Sequence, residues 1–280
     1  MEEDVLTRLV SRRLVLGAAA AVLPLPGLVS ARGDGPEFEM KFGNDNPMSH
    51  SNTIRQQEAI DRIYKDTNGR VKISLFPNNQ LGGDTDMLSQ LRSGALEFMS
   101  LSGLILSTYT PITSIYGIGY AFAGYKQVWA AIDGDLGTLI RGAIDKARLH
   151  AFDKVWDNGF REISSSTHPI RTPEDLKGYK IRVPVSPLWT SMFEAFGAAP
   201  ASINCNEVYS ALQTKIVEGQ ENPLLNIETA KLYEVQKYVS MTRHMWDGYL
   251  MLGNGRNFAS LPPEVRDVRG SCGARHPPHM

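Results

Sequence analysis

The sequence predicts an α/β protein with mixed, mostly parallel sheets, folded as two lobes with a ligand cleft between them. Short apolar segments with a two-residue period alternate along the chain with longer segments whose apolar residues recur at helical spacing. The 280 residues are enough to build two lobes, and the chain contains neither an internal repeat nor a low-complexity tract. Ligands of such folds bind at the ends of strands, commonly between lobes.

The first part of the chain predicts strands and helices in alternation. The predicted elements are a strand at 38–42, a helix from 51 that stops at Asn68-Gly69, a strand at 71–75 and a helix at 84–93. The apolar residues predicted to be buried on the two helices are Ile60, Ile63, Tyr64, Met87, Leu88 and Leu91. The segment at 43–47 is rich in glycine, asparagine and proline, which end the first strand.

The second part continues the same alternation. The predicted elements are a helix between Lys126 and Arg148, strands at 152–156, 160–165 and 179–183, and a helix at 188–196. Thr172-Pro173 followed by two acids is typical of a helix start. Asn204 to Glu207 resembles a capping box, and the helix after it is predicted to bury Val208, Leu212 and Ile216.

Residues 1–31 predict an export signal. Arg12-Arg13 precede an apolar stretch that continues to Val29, and Val29-Ser30-Ala31 offers small residues for cleavage. The paired arginines resemble a twin-arginine signal, although general secretory export stays open. The alternative is an uncleaved anchor or a buried helix, against which Pro24 and Pro26 argue. The mature protein is expected to begin near Arg32 and to be periplasmic.

Composition and motifs exclude several classes of function. The charges nearly balance, with 29 Lys+Arg against 30 Asp+Glu, so neither nucleic acid nor an anionic membrane surface is an expected partner. There is no GxSxG, P-loop, HExxH or dinucleotide motif, and Cys205 and Cys272 lack the spacing of a zinc site. No metal or cofactor is therefore predicted. Cys205 as a thiol nucleophile is the enzyme alternative, against an inert apolar cysteine.

Two arginines on predicted strands are candidate ligand contacts. Ile181 and Val183 point to one face of their strand and Arg182 to the other, and Arg161 is placed similarly on the preceding strand. On a strand face that borders a cleft, a guanidinium group can bind a carboxylate through two parallel hydrogen bonds. The alternative for either residue is an ordinary surface arginine.

Several motifs together resemble the solute-binding proteins of tripartite ATP-independent periplasmic (TRAP) transporters, of the dicarboxylate-binding type. The match is collinear over about 38 to 267. Its main motifs are EDLKGYKIRVP at 174–184, FEAFGA at 193–198, EVYSALQ at 207–213, VEGQENP at 217–223 and YEVQKY at 233–238, with NGR at 68–70 and QLGGD at 80–84 upstream.

The resemblance implies roles for particular residues. Arg182 is expected to form the principal salt bridge to a substrate carboxylate, with Arg161 assisting and Asn222 pointing into the cleft. Asn44 and Asp84 match positions that line the pocket in some members. Cys205 occupies a position where many relatives carry an aromatic residue, so it is included among the pocket residues. The implied function is capture of a small organic acid and its delivery to small and large membrane subunits for ion-gradient-driven uptake.

The resemblance also implies the domain organisation. Lobe I is expected at 36–158 plus 247–268, and lobe II at 159–246. The tail at 269–280 lacks apolar periodicity where family members continue with a long helix, so a frameshift or truncation is expected, with a disordered tail as the alternative. If the chain is truncated, exposed apolar surface should destabilise it.

The identity of the acid stays open at this point. C4-dicarboxylates, 2-oxo acids, sugar acids and aromatic acids all fit the motifs. Trp189 and Trp246 favour an aromatic or hydrophobic acid if they reach the cleft, whereas large aromatic residues are more commonly part of a core. A sensory binding protein that reports to a receptor is the functional alternative to transport.

Overall fold

A computed structural model of the chain describes residues 35–266, in which eight strands form one mixed sheet. The predicted leader and the tail at 269–280 lie outside the described residues, as does Cys272. The strands are β1 Phe38–Gly43, β2 Val71–Phe76, β3 Phe98–Ser102, β4 Leu149–Ser165, β5 Lys180–Val183, β6 Ala199–Ser202, β7 Gly219–Asn222 and β8 Tyr238–Asn254.

Helices or a 3-10 turn lie between successive strands, and β3, β6, β7 and β8 were not predicted from the sequence. The helices are α1 Ser51–Asp66, α2 Asp84–Ser93, α3 Gly103–Leu106, α4 Tyr125–Ile132, α5 Asp135–Lys146, α6 Pro187–Ala195, α7 Val208–Gln213, α8 Leu224–Thr229, α9 Gly255–Ser260 and α10 Pro263–Arg266. Short 3-10 turns occupy Pro111–Gly117, Pro173–Leu176, Cys205–Glu207 and Leu232–Glu234. Among the described residues, no helix combines the length and apolar character needed to cross a membrane.

Two long antiparallel strands hold the sheet together. β4 and β8 have 17 residues each and pair with each other at its centre. On one side of this pair, β3 runs antiparallel to β8, and on the other side β7 runs antiparallel to β4. The outer pairs are parallel: β1 pairs with β2 and β3, and β5 pairs with β6 and β7. The predicted α/β class with a mixed sheet is confirmed. Because β4 and β8 extend into both halves of the sheet, it is one continuous sheet, and the predicted lobe boundaries remain a prediction.

The strands predicted at 152–156 and 160–165 are one strand, so their separation was wrong. The turn-forming residues Asp157-Asn158-Gly159 do not end β4 but form an irregularity in its pairing with β8. Gly159 has φ +124°, a conformation that side chains other than glycine rarely adopt, and a Cβ there would lie 3.3 Å from the Cβ of Pro223. The turn-forming residues at 157–159, which predicted the end of a strand, instead form a bulge within β4.

Replacing Gly159 with alanine is therefore expected to lower the free energy of unfolding by about 1–3 kcal/mol. Gly142 is the matched control, because it lies in α5 with no heavy atom within 4 Å of an added Cβ. Gly142→Ala should stabilise the protein by roughly 0.5–1 kcal/mol. Urea unfolding of both variants measures the difference, and equal effects at the two positions would contradict the bulge interpretation.

Other sequence predictions also needed correction. The helix predicted between Lys126 and Arg148 is two helices, α4 and α5, because Gly134 leaves the helical conformation with φ −97° and ψ −147°. The start predicted at Thr172 produces only a 3-10 turn, although its capping contacts are present. Tyr64 and Ile216 are exposed rather than buried.

The capping box predicted at Asn204 to Glu207 is absent. Asn204 makes no side-chain capping bond, and its amide instead donates to the Thr85 hydroxyl at the start of α2, at 3.2 Å. This contact brings the loop after β6 against the first turn of α2. Asn204 and Thr85 are the chain neighbours of Cys205 and Asp84, which the sequence predicts as pocket residues, so the contact brings these two segments together.

Candidate functional site

Arg161 is the centre of a buried ionic cluster. The exposed fraction of its side chain is 2%. Its Nε and Nη2 donate to the two carboxylate oxygens of Glu221 at 2.5 and 2.8 Å, and its Nη1 donates to Asp247 Oδ2 at 3.1 Å. Burial alone would lower the pKa of Arg161, but Glu221 and Asp247 outweigh burial and raise it. The positive charge of Arg161 is thus balanced inside the protein by the carboxylates of Glu221 in β7 and Asp247 in β8.

The bulge in β4 explains how this cluster forms. Asn158 and Arg161 are three positions apart, so a regular strand would place them on opposite faces. The irregularity at Gly159 restores them to one side, where Asn158 Nδ2 and Arg161 Nη1 both donate to Asp247 Oδ2. His244 completes the cluster through its Nε2, 3.1 Å from Glu221 Oε2.

Arg182 is buried equally deeply but is differently bonded. Its Nε and Nη2 both donate to the backbone carbonyl of Ile203, at 2.8 and 2.6 Å. Within residues 35–266, its Nη1 donates to no atom and no carboxylate oxygen lies within 4.0 Å of the guanidinium. Burial lowers the pKa of Arg182, partly opposed by Cys205 and Glu221, yet an arginine stays protonated at neutral pH. Arg182 is therefore a fixed cation with unused donor capacity.

Asp84 and Cys205 lie near Arg182, as the sequence predicts for pocket residues. Burial raises the pKa of Asp84 to about 6, although Arg182 and the Cys205 backbone N–H favour the carboxylate. One oxygen of Asp84, Oδ1, is buried without a hydrogen-bond partner. Cys205 is a free cysteine, and burial together with Asp45 and Asp84 raises the pKa of its thiol far above the usual range. The thiol is accordingly protonated and a poor nucleophile.

The remaining predicted residues are used in different ways. Asn222 accepts from Arg161 Nη2 at 3.0 Å and donates to Gln220 at 2.6 Å, so it belongs to the ionic cluster. Asn44 is fully buried and donates to Thr53 and Gln56 in α1, while its oxygen accepts from a backbone N–H. These contacts use both polar atoms of Asn44 to join β1 to α1.

Sequence reasoning missed four polar residues of this region. They are Asp45, Asn158, Glu221 and Asp247. Glu221 lies inside the VEGQENP motif and was recognisable as a neighbour of Asn222. Asp45 follows Asn44 in the segment that ends β1, and its carboxylate interacts with Asp84. Trp189 lies with its ring 4.8 Å from Arg161 Cζ, whereas Trp246 packs on Tyr116 and Trp129 in the core.

The raised pKa of Asp84 predicts a pH effect on stability. Because the folded-state pKa of about 6 exceeds the ordinary 3.8, ionisation of Asp84 is less favourable in the folded state, and stability falls as the pH rises from about 4 through 6. Asp84→Asn should remove this cost, so the ligand-free variant is expected to exceed the wild type at pH 7 by on the order of 3 kcal/mol and to match it below pH 4.

Denaturant unfolding between pH 4 and 8 measures this difference. Asp145→Asn, at an exposed position on α5, is the matched control and should leave the profile unchanged. A difference between Asp84→Asn and the wild type that stays constant with pH would contradict the assignment.

A sheet whose halves share two long strands, with polar residues from both halves gathered at a buried arginine, fits the two-lobed solute-binding protein that the sequence predicts. Residues 45–269 match the description bacterial extracellular solute-binding protein, family 7, and the chain belongs to this family. The predicted resemblance to TRAP solute-binding proteins is thereby confirmed.

Individual relatives agree with the family. The chain is 30% identical over 229 residues to the 2,3-diketo-L-gulonate-binding periplasmic protein YiaO of Escherichia coli, covering 82% of this chain and 70% of that protein. A TRAP periplasmic solute-binding protein of Sulfurospirillum deleyianum, solved with bound succinate, superposes with a TM-score of 0.81 at 29% identity, covering 85% of this chain and 76% of that one. The chain is also 33% identical over 264 residues to the uncharacterised protein y4mM of Sinorhizobium fredii. The match covers 94% of this chain but only 49% of y4mM, so the chain spans about half the length of that relative.

Proposed function

We propose that this protein is the extracytoplasmic solute-binding component of a TRAP transporter and that it binds a small organic acid through Arg182. One observation carries the proposal: a buried guanidinium held by the Ile203 carbonyl, with Nη1 unused by any described residue and no protein carboxylate beside it. A buried cation without a counter-ion is costly, and an anionic ligand removes that cost.

Arg161 and Asn222 take a supporting role in this proposal. Their donors are mostly engaged with Glu221, Asp247 and Gln220. One N–H of Arg161 Nη1 remains beyond its bond to Asp247. We therefore expect Arg161 to orient the site and to contribute one hydrogen bond to the ligand, while Arg182 supplies most of the charge.

The transport role rests on the family. The membrane partners are the small and large subunits of a TRAP transporter, and the protein acts in the periplasm after removal of the predicted leader. An organic acid as cargo is supported by YiaO, whose name records 2,3-diketo-L-gulonate, and by the succinate-bound relative. The family consists of transport solute-binding proteins rather than enzymes. The raised pKa of Cys205 likewise argues against the thiol-enzyme alternative.

A thermal-shift screen of organic acids on the full chain tests the proposal. At a ligand concentration a hundred times Kd, binding should stabilise the folded state by about 2.7 kcal/mol, which raises Tm by several degrees. Neutral polyols of the same size are the controls and should give a much smaller shift. A library in which no carboxylate raises Tm would contradict the proposed function.

A further inference from the structure

We infer that His50 makes closure of the ligand site depend on pH, because its neutral imidazole holds the two halves of the sheet together and its protonation releases them. This inference rests on the proposed function, since closure encloses the bound acid. His50 acts through Asn226 on the opposite half of the sheet, so it is a positioning residue.

Three pairs of side chains from the described residues connect the two halves of the sheet. The first half consists of β1, β2 and β3, the second half of β5, β6 and β7, and β4 and β8 belong to both. Segments that follow β1, β2 and β3 meet the segments that follow β7, β6 and β5. The pairs are His50–Asn226, Thr85–Asn204 and Ser107–Ser186, with distances of 3.3, 3.2 and 3.4 Å between the bonded atoms. Thr85 and Asn204 are the chain neighbours of two residues of the candidate site, so these contacts border it.

The two strands that both halves share can bend between them. The pairing of β4 with β8 is irregular in three places, at 151–155, 157–159 and 161–163 of β4. Such irregularities interrupt the ladder and bend a strand, and the hinges of domain closure are a few positions that absorb changes in φ and ψ. Rotation at these positions would separate the three side-chain pairs, so each pair contributes to holding the site closed.

The hydrogen bonds of His50 fix the tautomer of its imidazole. His50 is the N-cap of α1, and its Nδ1 lies 3.1 Å from the backbone nitrogen of Asn52. A backbone N–H only donates, so Nδ1 accepts and carries no proton. The proton of the neutral ring is therefore on Nε2, which donates to Asn226 Oδ1 at 3.3 Å. One neutral ring thus caps a helix of the first half and binds the second half.

Protonation of His50 disrupts this arrangement. An imidazolium donates from both nitrogens, so its Nδ1 proton would point at the Asn52 N–H and the cap of α1 would be lost. The ring is also buried, and burial disfavours the charged form. Separation from Asn226 gives the ring access to water, which removes that cost. Acid therefore favours the open form.

Neighbouring charges do little to offset the burial of an imidazolium. The titratable groups on the segments around His50 are Asp45, Arg55, Asp157, Glu228 and Tyr249. Arg55 and Glu228 are exposed, and the Asp157 carboxylate is bonded to the Trp246 indole. Burial and Asp84 raise the pKa of Asp45 well above its ordinary value, and burial likewise raises the pKa of Tyr249.

The direction of the pH effect follows from the pKa of His50. Burial lowers this pKa from 6.5, and the hydrogen bond to Asn226 opposes the effect of burial only in part. Because the pKa is lower in the closed form than for an exposed histidine, the contribution to closure is complete above about pH 6.5 and is lost as the pH falls below it.

Two substitutions separate the two hydrogen bonds of His50. In His50→Asn, the side-chain oxygen can replace Nδ1 as the cap, but the side chain is too short to reach Asn226. In His50→Gln, the amide nitrogen can replace Nε2 as the donor without titrating. We expect His50→Asn to weaken binding of an organic acid about three- to tenfold at pH 7.5 and His50→Gln to recover most of that loss.

Calorimetric titration of succinate and of D-galactonate into the full chain at pH 7.5 and pH 5 tests the inference. In the wild type, the Kd should rise on going to pH 5 by about fivefold or more beyond its rise in His50→Gln. Asn204→Ala is the matched control, because it removes a contact between the halves that contains no titratable group. It should weaken binding at both pH values and keep the wild-type pH dependence. The wild-type pH dependence in His50→Gln would overturn the inference and leave the proposed function intact.

Small-angle X-ray scattering of the chain without added acid gives a readout that does not depend on the choice of ligand. The radius of gyration should rise between pH 7.5 and pH 5 in the wild type, with helix content unchanged by circular dichroism, and should stay constant in His50→Gln. An equal rise in both proteins, or no rise in the wild type, would overturn the inference. Absence of binding by every organic acid would overturn the proposed function, and the scattering result would still decide the role of His50.

Discussion

Arg182→Ala is expected to weaken binding of the organic acid by about 30-fold to several thousandfold. Removing one member of a buried, hydrogen-bonded charge pair costs about 2–5 kcal/mol, and about 1.4 kcal/mol corresponds to a tenfold change in Kd. The guanidinium is buried and already fixed by the Ile203 carbonyl, so little ordering is needed when a carboxylate binds.

The effect should appear in affinity rather than in folding. Arg182 has no protein carboxylate within 4.0 Å among residues 35–266, so its removal breaks no direct ion pair, and the more distant attraction to Asp84 is the electrostatic contact that is lost. Arg182→Lys should rescue binding poorly, because a lysine cannot present two parallel N–H groups to a carboxylate. Arg171→Ala, at an exposed arginine eleven positions earlier in the chain, is the matched control for loss of one positive charge. Wild-type affinity in Arg182→Ala would remove Arg182 from the site.

Arg161→Met is expected to affect mainly folding, and it should lower the free energy of unfolding by about 3–5 kcal/mol. The substitution keeps much of the apolar length but leaves Glu221 and Asp247 buried without their cation. The loss should be largest at neutral pH and should diminish in acid, where the unpaired carboxylates become protonated. Urea unfolding at pH 5 and pH 8 measures this dependence.

Two comparisons test the origin of that loss. Arg55→Met removes an arginine with an equally short ion pair to Glu58, but both side chains are about half exposed, so the cost should be below about 1 kcal/mol. Adding Glu221→Gln to Arg161→Met should recover part of the stability, because the two residues are coupled. An additive loss in the double variant would contradict the buried-pair interpretation.

The contrast between these two arginines marks the limit of prediction from sequence. Both lie on strands, Arg182 between Ile181 and Val183 and Arg161 directly after Phe160, and this local pattern does not reveal their different roles. They differ in their partners: Glu221 and Asp247 are 60 and 86 positions from Arg161 along the chain. The order of the strands brings those carboxylates to Arg161 and not to Arg182, and strand order is not visible in local periodicity.

Elements were predictable where one signal dominated. α2 begins and ends as predicted because its apolar spacing and the flanking glycines agree. β4 was divided in two because Gly159 indicates a break as well as a bulge, and only the pairing with β8 distinguishes them. Asn158 was missed for a related reason, since its hydrogen bond to Asp247 depends on the same irregularity in β4.

One titration tests the central claim, that Arg182 binds the carboxylate of the ligand. The acid with the largest thermal shift and its primary amide are titrated into the wild type and into Arg182→Ala. In the wild type, replacing the carboxylate with the amide should weaken binding at least about a hundredfold, and in Arg182→Ala the two ligands should bind with similar affinity. If the acid keeps its full advantage over the amide in Arg182→Ala, another group binds the carboxylate and the account of the site is wrong.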